Sequence, residues 1–290
     1  MNATPVILKQ ILSFFALVRV QNIVLLMFAF FLTAKYIFVP NESFYTLLFD
    51  KYFIILMLSS TISIASGYII NSFYDYKKDL INRPKKTLIE QELAQQKRLY
   101  LYFFFNFLAV GLAALISYRA ALFFSVYIFL IWFYSHKISK RTFLSNLFVA
   151  ILSIFPFFGI FLYFKRFNTF IFWHAVFLFL LLLIKDMVKD YINIKGDLVK
   201  GNQTIPIRYG EKSGKYIIIF LSILMLIPVF MLQGFSIIGN MKYFFYLFLI
   251  IYILGLAIFM ASTTQKKYHI FYFLIKILLT IGVFSVMLVS

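Results

Sequence analysis

Apolar stretches of membrane-spanning length recur from one end of this 290-residue chain to the other, and that recurrence restricts the fold more than any other feature. Inside a bilayer every backbone N–H and C=O must find its partner within the protein, so a crossing segment is a helix or part of a closed barrel. Runs of roughly 20 predominantly apolar residues fit helices, which span the hydrocarbon core at that length. Composition agrees: 63% of residues are hydrophobic and 13% charged, against about a quarter charged in soluble domains. The chain is therefore read as an all-α polytopic membrane protein. Nine spans are expected, over 11–37, 52–74, 98–117, 119–135, 144–164, 170–188, 214–233, 241–261 and 268–289, each boundary good to about 2–4 residues. The third and fourth form an antiparallel hairpin around Ser117-Tyr118-Arg119. The polar stretches 75–97 and 189–213 are too short to fold as separate domains, so 1–290 reads as one transmembrane domain.

The absence of cysteine excludes disulfides, thiolate catalysis and cysteine-based metal centres. The N-terminus lacks the basic, apolar and small-residue succession of a cleavable signal peptide. A net charge of +18 in so apolar a chain points to membrane topology and an anionic substrate, not to nucleic acid. Of the 28 Lys and Arg, only Lys35, Lys51, Arg119, Lys165, Arg166 and Lys242 fall on the side opposite the N-terminus, with Arg19 and Lys276 inside spans. By the positive-inside rule the N-terminus and the loops after spans 2, 4, 6 and 8 face the cytoplasm, in a cytoplasmic (inner) membrane. All the acidic residues except Glu42 and Asp50 lie in or beside the loops after spans 2 and 6. Acids gathered on one side among lysines and arginines mark a site.

The first of these clusters begins inside span 2. Asn71, Asp75 and Asp79 are spaced i, i+4, i+8, so on a helix they share a face. Two carboxylates and an amide at the end of a membrane helix are costly unless they hold a cation. Hard oxygen ligands suit Mg²⁺, which usually takes one or two carboxylates together with substrate phosphates. The second cluster holds Asp186 and Asp190, again i, i+4, with Asp197 beyond. Asp197 keeps to their face only if the helix continues past Asn193, and Gly196 argues against that. Taken singly, either cluster reads equally well as ordinary ion pairing with neighbouring lysines; two at cytoplasmic helix ends favour a joint metal–anion site.

Carboxylates alone would repel a diphosphate, whereas Mg²⁺ can bridge the two and nearby cations can balance the rest. Arg83, Lys85, Lys140, Arg141, Lys185 and Lys189 are placed for that role. Arg19, near the start of span 1 with Asn22 three residues on, is an intramembrane arginine and so a functional candidate; snorkelling to the interface is its ordinary alternative. Tyr134, near the end of span 4, is suited to facing a developing cation or to anchoring at the interface. His136, His174 and His269 form no metal-binding spacing, and no Gly-rich phosphate loop or nucleophile–base pattern is present.

Asn71-Ser72-x-x-Asp75-x-x-x-Asp79 followed by Asn82-Arg83-Pro84 resembles the first signature of the UbiA-type intramembrane prenyltransferases, and Lys185-Asp186 through Pro206 resembles their second. Arg19 with Asn22, and Tyr134-Ser135 with Lys140-Arg141 and Asn146, are similar to further family positions. The resemblance implies a helical bundle around a lipid-accessible cavity. It also implies a Mg²⁺ site at Asn71, Asp75, Asp79, Asp186 and Asp190, the four aspartates carrying the catalysis. Arg19, Asn22, Arg83, Tyr134, Lys140, Arg141, Lys185 and Lys189 would bind the diphosphate of a polyprenyl donor, with Asp197 in support. Ionisation of the allylic C–O bond would yield a carbocation for a lipophilic acceptor to capture. One departure is Ser72, where the family often has Asp. The Lys185–Pro206 pattern is most similar to the digeranylgeranylglyceryl phosphate synthase branch, which implies a geranylgeranyl donor and a geranylgeranylglyceryl phosphate acceptor. An aromatic quinone precursor such as 4-hydroxybenzoate is the alternative acceptor. A membrane lipid carrier or transporter is the non-enzyme alternative, but it would place its ionisable groups near the bilayer midplane, and here they lie at helix ends.

Overall fold

The computed structural model describes residues 6–289, and among them all regular structure is helical. In chain order the helices are α1 (Val6–Val18), α2 (Val20–Thr33), α3 (Phe44–Leu48), α4 (Lys51–Tyr74), α5 (Tyr76–Asn82), α6 (Pro84–Gln91) and α7 (Gln95–Ala114). Then follow α8 (Tyr118–His136), α9 (Leu144–Phe164), α10 (Thr169–Lys200), α11 (Ile205–Gln233), α12 (Lys242–Met260) and α13 (Gln265–Ser285). Eight helical segments among the described residues are long and apolar enough to cross a membrane, not nine. The expected third span is present as α7 but is not among the eight: its first turn is Gln95-Gln96-Lys97-Arg98.

Two other expectations change. Span 1 is not continuous: Arg19 adopts a left-handed backbone (φ 53°) between α1 and α2. For a non-glycine residue that conformation costs about 1–2 kcal/mol. The Arg19 carbonyl then starts α2 by accepting from Asn22 N and Ile23 N at 2.8 and 3.2 Å. Span 6 does not stop at 188, because α10 runs through Asn193 and Gly196 to Lys200.

The chain divides into two compact units. The first comprises 1–27, 48–139 and 195–202. Its frame is α4 packed against α7 and α8, with α1 against α4 and α6. Asp50 caps α4 by accepting from Tyr52 N and Phe53 N at 3.0 and 3.1 Å, a contribution of about 1 kcal/mol. Small buried residues let these helices approach closely: Ser59, Ser60, Ser63 and Ser66 on α4, Ala109 and Ala113 on α7. A Cβ at Gly67 would stand 2.9 Å from Ile131 of α8. Ser60, Ser63 and Ser66 satisfy themselves on their own helix by donating to the carbonyls of Leu56, Ser59 and Ser63.

The second unit comprises 28–47, 140–194 and 203–290. Here α12 packs on α13, where Gly255 sits so near Phe271 that a Cβ would be 2.7 Å from its ring. Tyr191 of α10 meets Phe259 of α12 and Tyr268 of α13 edge to face, and those two rings meet each other at a tilt. The Tyr191 hydroxyl donates to the Glu211 carbonyl at 2.7 Å and Tyr268 donates to the Glu211 carboxylate at 2.6 Å, which ties α10 and α13 to the start of α11.

Candidate active site

The first cluster is built in the first unit. Asp75 leaves helical geometry (φ −92°, ψ 2°) at the junction of α4 and α5, yet the hydrogen-bond ladder continues. Asp75 N donates to Asn71 O, Asp79 N to Asp75 O and Arg83 N to Asp79 O, at 2.8–2.9 Å. Asn71, Asp75 and Asp79 therefore share one face, as their spacing requires. Asn71 Nδ2 donates to Asp75 Oδ2 at 3.0 Å, and Arg83 Nη2 to Asp79 Oδ1 at 3.2 Å. Ser72, the departure in this motif, is buried and donates to Ile69 O at 2.9 Å.

Two lysines absent from the sequence-derived set complete this cluster. Lys200, the last residue of α10, pairs with Asp75, and Lys78 of α5 pairs with the fully buried Asp197 at 2.5 Å. Asn202 also donates to Asp197, at 2.7 Å. The two pairs cross, because Lys78 lies three residues after Asp75 and Lys200 three after Asp197. Gly196 makes this possible. Instead of ending α10 it brings the helix onto α5, where a Cβ would stand 2.3 Å from Asn82 Nδ2 and 2.6 Å from Lys78 O. Its own N–H donates to Asn82 Oδ1 at 3.2 Å.

Also in this unit, the Arg19 guanidinium lies 4.8 Å over the Tyr68 ring, and Asn22 is exposed. Lys86 and Glu90 of α6 pair at 3.4 Å. Burial, then the charge of Arg19, holds Lys86 below its usual range. Burial holds Glu90 above the usual carboxylate range. Tyr134 is half-buried on α8.

The second cluster lies in the second unit. Asp186 and Asp190, one turn apart on α10, are both buried, and Asn146 of α9, 2% exposed, reaches both. Its Nδ2 donates to Asp186 Oδ2 at 3.0 Å and to Asp190 Oδ2 at 2.9 Å. Lys189 Nζ lies 3.4 Å from Asp186 Oδ1, and Lys185 is half-buried on the same helix. Lys140 and Arg141 are exposed and line an open groove of about 430 Å³ with Thr142, Gln203 and Arg208. Arg208, another cation outside the expected set, donates to Thr142 Oγ1 at 3.2 Å.

Among the described residues no three His, Cys, Asp or Glu side chains stand close enough to share a metal; the acids rest on Lys, Arg and Asn. The donor chemistry nevertheless fits a hard divalent ion. One amide NH₂ donates to two carboxylate oxygens, so two hard oxygen ligands already face one place, and Mg²⁺ accepts one or two carboxylates with phosphate oxygens completing its shell.

A model of the UbiA prenyltransferase family matches residues 23–278. The digeranylgeranylglyceryl phosphate synthase of Methanosphaera stadtmanae is 31% identical over 198 residues, 68% of this chain and 68% of the relative. That of Thermococcus gammatolerans is 30% identical over 184 residues, 62% of this chain and 65% of the relative. The chain thus matches just under two thirds of the length of the Thermococcus relative. Two solved structures share the fold. A digeranylgeranylglyceryl phosphate synthase structure aligns with a TM-score of 0.70 at 18% identity, over 94% of this chain and 96% of that one. A UbiA homologue from Archaeoglobus fulgidus bound to GPP and Mg²⁺ aligns with 0.67 at 15% identity, over 94% and 99%.

Proposed function

Because this chain belongs to the UbiA prenyltransferase family, we propose that it is a Mg²⁺-dependent prenyl transferase of the membrane. It moves a geranylgeranyl group from its diphosphate to a lipophilic acceptor, geranylgeranylglyceryl phosphate. The observation that carries the reading is the convergence of Asp186 and Asp190 on Asn146. The shared amide holds two hard carboxylate oxygens toward one place, with Lys189 beside Asp186, a donor set suited to a divalent cation and an anionic ligand. The relatives named as digeranylgeranylglyceryl phosphate synthases support the acceptor class.

In this reading Asn71, Asp75, Asp79, Asp186 and Asp190 would hold the metal, and the four aspartates carry the catalysis. Bound Mg²⁺ would supply positive charge to the departing diphosphate. Arg19, Asn22, Arg83, Tyr134, Lys140, Arg141, Lys185 and Lys189 would bind and orient the diphosphate, sharing the charge that develops as the allylic C–O bond breaks. Asp197 supports them by anchoring Lys78. The acceptor hydroxyl oxygen forms the new ether bond to the allylic carbon and gives its proton to the departed diphosphate. The apolar helices exclude water, which would otherwise capture the cation. The whole of 1–290 acts as one catalytic domain, with N-terminus and active-site loops on the cytoplasmic side of a cytoplasmic membrane.

The test is transfer of label from radiolabelled geranylgeranyl diphosphate in membranes expressing the chain, with and without Mg²⁺, offering geranylgeranylglyceryl phosphate and 4-hydroxybenzoate in parallel. Mg²⁺-dependent label in the glyceryl ether is expected. Label in the aromatic product alone would overturn the acceptor, and no transfer to either, with other donor lengths tried, would overturn the enzyme.

A further inference from the structure

A lysine stands on one of the carboxylates that the proposed metal needs. Asp75 Oδ1 is paired with Lys200 Nζ, and Asp75 Oδ2 accepts from Asn71 at 3.0 Å. An ion at Oδ1 would lie against the Lys200 ammonium, and two positive charges that close repel, so ion and lysine compete for that oxygen. The contact is built into the packing. Gly196 seats the last turn of α10 against α5, and the next residue, Asp197, is locked there by Lys78 and Asn202. Lys200 follows one turn later, with its side chain 9% exposed. A lysine has a compact charge on a flexible four-carbon stem, so it can change anionic partner without moving the backbone that carries it.

We propose that Lys200 is a tethered stand-in for the divalent ion at the first cluster: it balances Asp75 while no ion is bound, yields that carboxylate when ion and prenyl diphosphate enter, and moves its ammonium to a diphosphate oxygen. The inference rests on the proposed function and adds a substrate-binding residue to it. Two opposite consequences follow. Lys200 competes with the ion when donor is absent, and it strengthens donor binding when the ion is present.

The experiment compares full-length wild type and K200M in detergent, with Mn²⁺ alone as the probe, followed by electron paramagnetic resonance. Losing a charge-assisted hydrogen bond that competes for Asp75 should tighten Mn²⁺ binding about tenfold. At saturating Mg²⁺ the KM for geranylgeranyl diphosphate should rise by about the same factor and kcat should fall as well, because the lost contact is to the group that gains charge as the C–O bond breaks. Unchanged or weaker Mn²⁺ binding by a variant that keeps its thermal midpoint, or an unchanged KM, would overturn the proposal. If K200M does not hold the fold, K200Q, which keeps length and polarity without the charge, carries the same prediction. Failure here is distinct from failure of the prenyl transferase reading: Mg²⁺-dependent transfer by wild type with no rise in Mn²⁺ affinity removes only the role of Lys200. Absence of both transfer and Mn²⁺ binding in wild type removes both.

Discussion

The two carboxylate clusters are balanced by different chemistry. In the first, Asp75, Asp79 and Asp197 each meet a full cation, Lys200, Arg83 and Lys78. In the second, Asp186 and Asp190 share the neutral amide of Asn146, with Lys189 at 3.4 Å from one of them. A full cation cancels a carboxylate and holds two segments together; an amide orients a carboxylate and leaves its charge in place. The first cluster therefore doubles as a clasp between α5 and the end of α10, whereas in the second one amide holds two carboxylates a turn apart on a single helix. Comparable spacing on two helices thus supports unequal divisions between structure and chemistry.

That contrast breaks most readily at the second cluster. D186A should lower kcat/KM for prenyl transfer by about 10³-fold, the size of a lost electrostatic contact to developing charge, while the protein stays in the membrane with an unchanged melting profile. D75A should abolish transfer as well; near-normal turnover in either variant would remove that residue from the metal set. The clasp shows itself in stability instead. K78M leaves Asp197 buried without its cation and should destabilise the fold by about 3–5 kcal/mol. The double variant K78M/D197N, which removes the orphaned charge, should recover much of that loss in thermal melts; equal melting of single and double variants would mean the pair is not the clasp.

A smaller effect is expected at Asn146. N146A keeps both carboxylates but no longer orients them, and should raise the Mg²⁺ requirement by about 10–100-fold, as loss of a partner that orients metal ligands does. Titrating Mg²⁺ in the transfer assay measures this, and an unchanged requirement would reduce Asn146 to a packing residue. The smallest effect concerns Glu90. Its carboxyl is held above its ordinary 4.5, so its contribution to stability is present below that value and fades as pH rises through the raised one. The difference in melting temperature between E90Q and wild type should therefore grow in favour of E90Q from about pH 4 to pH 7. A difference independent of pH would show that Glu90 ionises without cost.

Much of this was legible in the order of residues. The span over 144–164 coincides with α9, and the one over 52–74 with α4, because an unbroken apolar run bounded by Asp50 or by charges leaves little latitude. The face shared by Asn71, Asp75 and Asp79 also followed from spacing alone, since the ladder carries through the junction at Asp75. Other features depend on partners distant in the chain. Gly196 reads as a helix end until Asn82 and the Lys78 carbonyl are known to lie against it. The Asp-x-x-Lys steps at Asp75–Lys78 and Asp197–Lys200 suggest local i, i+3 pairs, whereas each lysine pairs with the aspartate of the other step, Lys200 across 125 residues. The turn at Arg19 is a matter of backbone handedness, which an apolar run does not encode.

The central claim is that metal-dependent donor binding requires the acids of both clusters. Calorimetric titration of geranylgeranyl diphosphate into the purified protein, with and without Mg²⁺, tests it without requiring turnover. Wild type should bind only when Mg²⁺ is present, and D75A and D186A, each folded, should both lose that binding. If either variant binds the donor as wild type does, the acid it lacks is not needed for that binding.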